Sequence, residues 1–154
     1  MKNIALVIAL ALFSCVAIGQ KVNFSGEWKL NEDKSELGYE FSVAPKSVTM
    51  VHTKKTLDQT NVNEWNGQEY KSQLHFTLNG KVCENPGFED AATKSTAIYD
   101  KKAKTIKIVT DGTTQGMDYT LTQIYSLKDG NLVVESEAAS DMGELIETFV
   151  FDKQ

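Results

Sequence analysis

The chain has 154 residues, with 16 basic side chains against 21 acidic ones and a formal net charge of −5. Every basic side chain is lysine; there is no arginine. That balance argues against nucleic acid and against anionic membrane faces as partners, both of which take clustered Lys or Arg. It also removes the side chain best suited to a two-pronged grip on carboxylate or phosphate.

The start of the chain carries the pattern of a secretory signal. Lys2 supplies the basic start, Ile4 to Phe13 is apolar, and Ala17-Ile18-Gly19 is a small-x-small cleavage site. The apolar run is too short for a membrane-spanning helix, which needs roughly 20 apolar residues, so no transmembrane segment is expected. Cleavage before Gln20 assigns 1–19 to the signal peptide and 20–154 to one domain of 135 residues with net charge −6. The expected location is periplasmic or extracellular. A minority reading takes Leu12-Phe13-Ser14-Cys15 as a lipobox with Cys15 lipidated, although the bulky Phe13 fits that motif poorly. Without Cys15, Cys83 has no internal partner and is expected to be a small, half-buried strand residue.

Beyond the signal, alternating segments are punctuated by turn signals. Strands are expected near 24–30, 47–53, 56–63, 69–78, 81–84, 91–99, 104–110, 117–127, 131–137 and 145–152. Between the first two, Asn31 to Leu37 suits one or two helical turns, with Asn31 as N-cap and Gly38 as terminator. Asn66-Gly67, Asn79-Gly80, Asp111-Gly112 and Asp129-Gly130 favour tight hairpins, because such turns need positive φ. Asn85-Pro86-Gly87 suits a further turn and Asp100-Lys101-Lys102 a weaker one.

Period-two alternation is clearest in Tyr70-Ser72-Leu74-Phe76-Leu78 and recurs in Tyr119-Leu121-Gln123-Tyr125 and Ile106-Ile108. Such alternation belongs to a sheet with one buried and one wet face. Short connections force antiparallel pairing. Eight to ten such strands close most economically into an all-β, up-and-down barrel, which leaves no free edge.

Gly26-x-Trp28 on the first strand, an early helical segment and a hairpin meander resemble the lipocalin and fatty-acid-binding-protein group. The run Phe24-Ser25-Gly26-Glu27-Trp28-Lys29-Leu30-Asn31 with Asp33-Lys34-Ser35, and the ending Met142-Gly143-Glu144-Leu145 through Lys153, are similar to small exported lipocalin-like proteins of Bacteroidetes-type bacteria. The resemblance implies a barrel with an internal cavity, a floor built on Gly26 and Trp28, and Lys153 across the tryptophan in place of the usual basic residue. Fatty-acid binders hold their carboxylate with an arginine near the end of the chain. Here the stretch 147–151 offers no such group, so an uncharged ligand fits better.

With the tyrosine-bearing faces inward, His52, Gln59, Asn61, Tyr70, Phe76, Tyr99, Tyr119, Gln123 and Tyr125 line the interior as candidate ligand contacts. A mixed apolar wall with a few polar groups suits a small-molecule pocket, and the same residues also suit a filled core. Glu135 and Glu137 belong to a solvated face. Glu147 alternates with Phe149 and Phe151, but a surface position is favoured because an unpaired carboxylate is seldom buried. His52, His75 and Cys83 lack metal-site spacing, with His75 on the outer face. The loop 111–118 lacks calcium-loop spacing, and there is no Gly-x-Ser-x-Gly elbow. No cofactor or metal is expected. The leading expectation is a non-enzymatic binder of a small lipophilic or amphipathic, uncharged ligand. The alternative is an interaction or structural module with a filled core, acting through the loop 84–90 and Phe88. An enzyme would need an inward acid or His beside a pocket.

Overall fold

The computed structural model describes residues 22–39, 41–87 and 91–154; the signal segment 1–19, Cys15 and Phe88 lie outside them. Ten strands follow in order: β1 (Gly26–Leu30), β2 (Ser47–His52), β3 (Thr56–Trp65), β4 (Gln68–Thr77), β5 (Cys83–Pro86), β6 (Ala92–Asp100), β7 (Thr105–Thr114), β8 (Met117–Lys128), β9 (Asn131–Ser140) and β10 (Gly143–Lys153). They form one antiparallel sheet in the order β4-β3-β2-β1-β10-β9-β8-β7-β6-β5. This is an all-β, up-and-down, nearly closed barrel, consistent with the lipocalin and fatty-acid-binding-protein type of fold.

Turn chemistry sets most of the meander. Asn66-Gly67, Gln115-Gly116 and Asp129-Gly130 each put two successive residues at positive φ, the geometry whose twist matches that of the flanking strands. Two expected turns are strand instead. Asp111 and Gly112 lie within β7, paired with Thr120 and Tyr119, so 111–118 is the upper part of a hairpin rather than a loop. Gly112 is there for clearance: a Cβ would stand 2.6 Å from the Tyr119 hydroxyl oxygen. Asn85 and Pro86 end β5 rather than turning, which moves that strand two residues beyond the expected 81–84. Proline is tolerated there because β5 is an end strand of the sheet.

Among the described residues the connection 31–46 holds one 3-10 turn, Glu32–Lys34, shorter than the expected Asn31 to Leu37. Asn31 caps it as expected, its Oδ1 accepting the Lys34 N–H at 3.1 Å. The turn is an outward excursion from the sheet, since Glu36 pairs again with Thr148 of β10.

The core follows from the inward rows. Phe24, Trp28, Met50, Leu57, Ile106, Leu132, Phe149 and Phe151 are 0–2% exposed and fill the end of the barrel where β1 begins. Trp28 Nε1 donates to the Phe24 carbonyl at 3.0 Å, so the indole is both packed and satisfied. Lys153 Nζ stands 5.6 Å from the centroid of the Trp28 ring, within cation–π range, and Gly26 supplies the φ of +146° that brings the chain into β1 beside it.

No backbone ladder joins β4 to β5; a side chain bridges them. The Asn85 amide accepts the His75 N–H at 2.7 Å and donates to the His75 carbonyl at 3.1 Å. A primary amide thereby takes the place of the missing peptide partner. Nearby, the Thr77 N–H points to Cys83 Sγ at 3.3 Å. Asn85→Ala leaves both His75 backbone groups without this partner in a part-buried setting and is expected to cost about 1–2 kcal/mol. Urea unfolding of the two proteins measures it; equal midpoints would deny Asn85 its bridging role.

Candidate functional site

The registers arrange the inner wall in rows whose exposure rises toward the end carrying the β3–β4, β7–β8 and β9–β10 turns, here called the mouth. One row runs Tyr99, Ile106, Tyr125, Val134, Phe149, and the next Ala97, Ile108, Gln123, Ser136, Glu147. The third, Ser95, Thr110, Leu121, Ala138, Leu145, is half-buried except for Ser95. Opposite them, Met50, Gln59 and Leu74 share one level and Val48, Asn61 and Ser72 the level above. The base half is thus lined by large apolar side chains, and the mouth half mixes polar groups with the half-buried Leu121, Ala138 and Leu145.

A neutral hydrogen-bonded chain marks the boundary between the halves. Tyr125 donates to Gln123 Oε1 at 3.0 Å. Gln59 Nε2 donates to Asn61 Oδ1 at 2.7 Å and lies 3.5 Å from the Tyr125 hydroxyl, at the outer limit of a hydrogen bond. β3 and β8 stand on opposite walls, so this contact crosses the lumen. Gln59 Oε1 and Ser136 Oγ are buried without a hydrogen-bond partner among the described residues. Such atoms are uncommon in folded interiors and call for a partner.

Of the other residues expected inside, Phe76 is buried in the base core. His52 lies at the base between the rings of Phe24 and Tyr99, with centroids at 5.4 and 5.5 Å. It is therefore remote from the mouth. Tyr119 lies over Gly112 at the mouth, and burial raises its pKa. Tyr70 departs from expectation: it is half exposed and donates to Gln68 Oε1. Its partner Asn63 lies one residue beyond the last β2 pairing, Ser47 with Val62, so β2 no longer flanks the hairpin at this level. His75 is exposed on the outer face, 2.6 Å from Asp58 Oδ1. Among the described residues no group of three His, Cys, Asp or Glu side chains is placed to hold a metal.

Glu147 is the correction with the largest consequence: it is buried, 2% exposed, not on the surface. Its two carboxylate oxygens accept the Gly38 N–H at 2.8 Å and the Val43 N–H at 3.1 Å. The carboxylate ties both arms of the β1–β2 connection to the inner wall near the mouth. Sequence parity placed Glu147 beside Phe149 and Phe151, but its partners are backbone groups more than a hundred residues away. The strap itself carries exposed Tyr39 and Phe41.

No family model matches the chain, and no curated protein matches it. The architecture therefore rests on the sheet topology, and the site on its own geometry.

Burial pushes the Tyr125 hydroxyl up from 10.0 to about 12. The folded protein then keeps this proton after the unfolded chain has lost it. The corresponding stability is complete below pH 10 and is lost progressively between pH 10 and about 12, for a total of about 3 kcal/mol. Ultraviolet titration should show one tyrosine ionising late, a lag that Tyr125→Phe removes. Glu147→Ala removes two charge-assisted hydrogen bonds, each contributing about 1.5–3 kcal/mol. Chymotrypsin cleavage at Tyr39 and Phe41 is expected to accelerate at least about tenfold, with an unchanged rate assigning the strap's position to other contacts.

Proposed function

We propose that the protein is an exported, non-enzymatic carrier that holds one small, uncharged, amphipathic molecule in the mouth half of the barrel. The observation that carries this reading is the neutral chain Gln123–Tyr125–Gln59–Asn61, with the Gln59 carbonyl oxygen buried and unpaired among the described residues. A ligand that donates one hydrogen bond to Gln59 Oε1 and lays its apolar body against Leu74, Leu121 and Leu145 would satisfy the wall. Pockets of this kind pair a mostly apolar lining with a few placed polar groups.

The charge pattern supports a neutral ligand. Every described lysine is exposed, so none is available inside to balance an anion. The Glu147 carboxylate, buried close by, disfavours a second carboxylate. The resemblance to exported lipocalin-like proteins and the signal-like start support the carrier reading and the exported location.

N-phenyl-1-naphthylamine, an uncharged fluorophore with a single N–H donor, is a suitable probe. Saturable fluorescence at one equivalent is expected, with affinity lowered about tenfold in Gln59→Leu, the loss expected for one buried hydrogen bond. Native mass spectrometry of the exported protein should also show an added neutral mass. A bare mass together with no saturable fluorescence would overturn the reading.

A further inference from the structure

The up-and-down order places the β2–β3, β4–β5 and β6–β7 turns side by side around the base of the barrel. These turns carry Lys54 and Lys55, Lys81, and Lys101, Lys102 and Lys104. All six side chains are exposed, and none enters an ion pair among the described residues. The carboxylate within this arc, Asp100, is engaged by the backbone N–H groups of Lys102 and Ala103 at 2.7 and 2.9 Å. At the mouth the sign reverses: the stretches 64–69, 115–118 and 140–144 carry Glu64, Glu69, Asp118, Asp141 and Glu144 and no lysine. The fourth turn at the base, β8–β9, carries exposed Asp129 and a Lys128 paired with Glu135 at 3.5 Å, so the basic face is an arc over three of the four base turns, set against an acidic mouth. Anionic faces take clustered lysines, and the topology brings lysines that are far apart in sequence into one cluster.

We propose that the base of the barrel docks on the surface of an anionic phospholipid bilayer, with the mouth turned away from it. Three observations favour a bilayer over other polyanions. The lysines sit on the ends of short hairpins around one rim of the barrel, a shape that meets a plane. Lysine without arginine offers point charges for a diffuse field of headgroups rather than a two-pronged grip on individual phosphates. The chain also enters the fold at this end: Phe24 packs on His52 beside the β2–β3 turn. The apolar run 4–13 and Cys15 therefore precede the basic face in sequence, with Cys15 seven residues before the first described residue. The acidic mouth is repelled by the same surface, so the field sets orientation as well as attachment.

The test is co-sedimentation of the chain from Gln20, which contains every described residue, with phosphatidylcholine vesicles with or without about 30% phosphatidylglycerol. Binding is expected only with phosphatidylglycerol and should fall steeply between about 50 and about 300 mM salt. The variant K54Q/K55Q/K101Q/K102Q should bind at least about tenfold more weakly, whereas K29Q/K71Q/K94Q/K107Q, with the same change in charge but on the barrel wall, should bind nearly as well as the parent. Equal loss in both variants, binding without phosphatidylglycerol, or no binding at low salt overturns the proposal. So does retention on heparin or single-stranded DNA at a salt concentration where the vesicles leave the protein in solution.

Discussion

The structure depends on the ladder between β1 and β10. Trp28 faces Lys153 and Leu30 faces Phe151 across it, and the ladder is extended at both ends, by Asn31 N–H to the Val150 carbonyl at 2.8 Å and Gln154 N–H to the Glu27 carbonyl at 3.0 Å. Without it the chain would be two hairpin meanders, each with an exposed apolar face. With it the inward rows from β2–β4 and β6–β9 meet around one axis, and Trp28 is held beneath them. Burial of these rows supplies the main driving force, and the ladder fixes which residues share it.

The axis organises everything else. Large apolar side chains accumulate at the base, where the Phe24 and Trp28 rings leave little to solvate. Toward the mouth serine, threonine, asparagine and glutamine enter the inner wall among leucines, and the strap tied by Glu147 lies beside it. Outside, lysines gather at the base and carboxylates at the mouth. The two proposed surfaces, one for a neutral ligand and one for a charged plane, therefore draw on different residues at opposite ends of one small barrel.

Much of the fold was legible from alternation and turn chemistry, since these are local. All ten strands appear close to their expected places, and Asn66-Gly67 and Asp129-Gly130 turn where they should. The failures are cases in which a residue answers to a distant neighbour. Gly112 carries a turn signal, yet its lack of a Cβ serves the Tyr119 ring in the next strand. Asn85 sits in a turn-like tripeptide, yet its amide stands in for a peptide group beside His75. Glu147 had the parity of an inner residue, but the amides that justify its burial belong to the β1–β2 connection. The lysines at 54–55, 81 and 101–104 are far apart in sequence, and only the strand order makes them neighbours.

The seam beside Asn85 has a meaning for chain order. The sheet, unrolled, is a strip that begins at β5 and ends at β4, while the natural ends of the chain meet in its middle, at β1 and β10. The one pairing between strands remote in sequence is thus the one that closes the molecule, and Trp28 must find Lys153 across 125 residues. Loop closure on that scale is slow compared with zipping hairpins. A permuted chain that starts at β5 and joins the old ends through a short linker would convert the whole strip into nearest-neighbour hairpins. Its folded contacts would be the same, and its search for them much shorter.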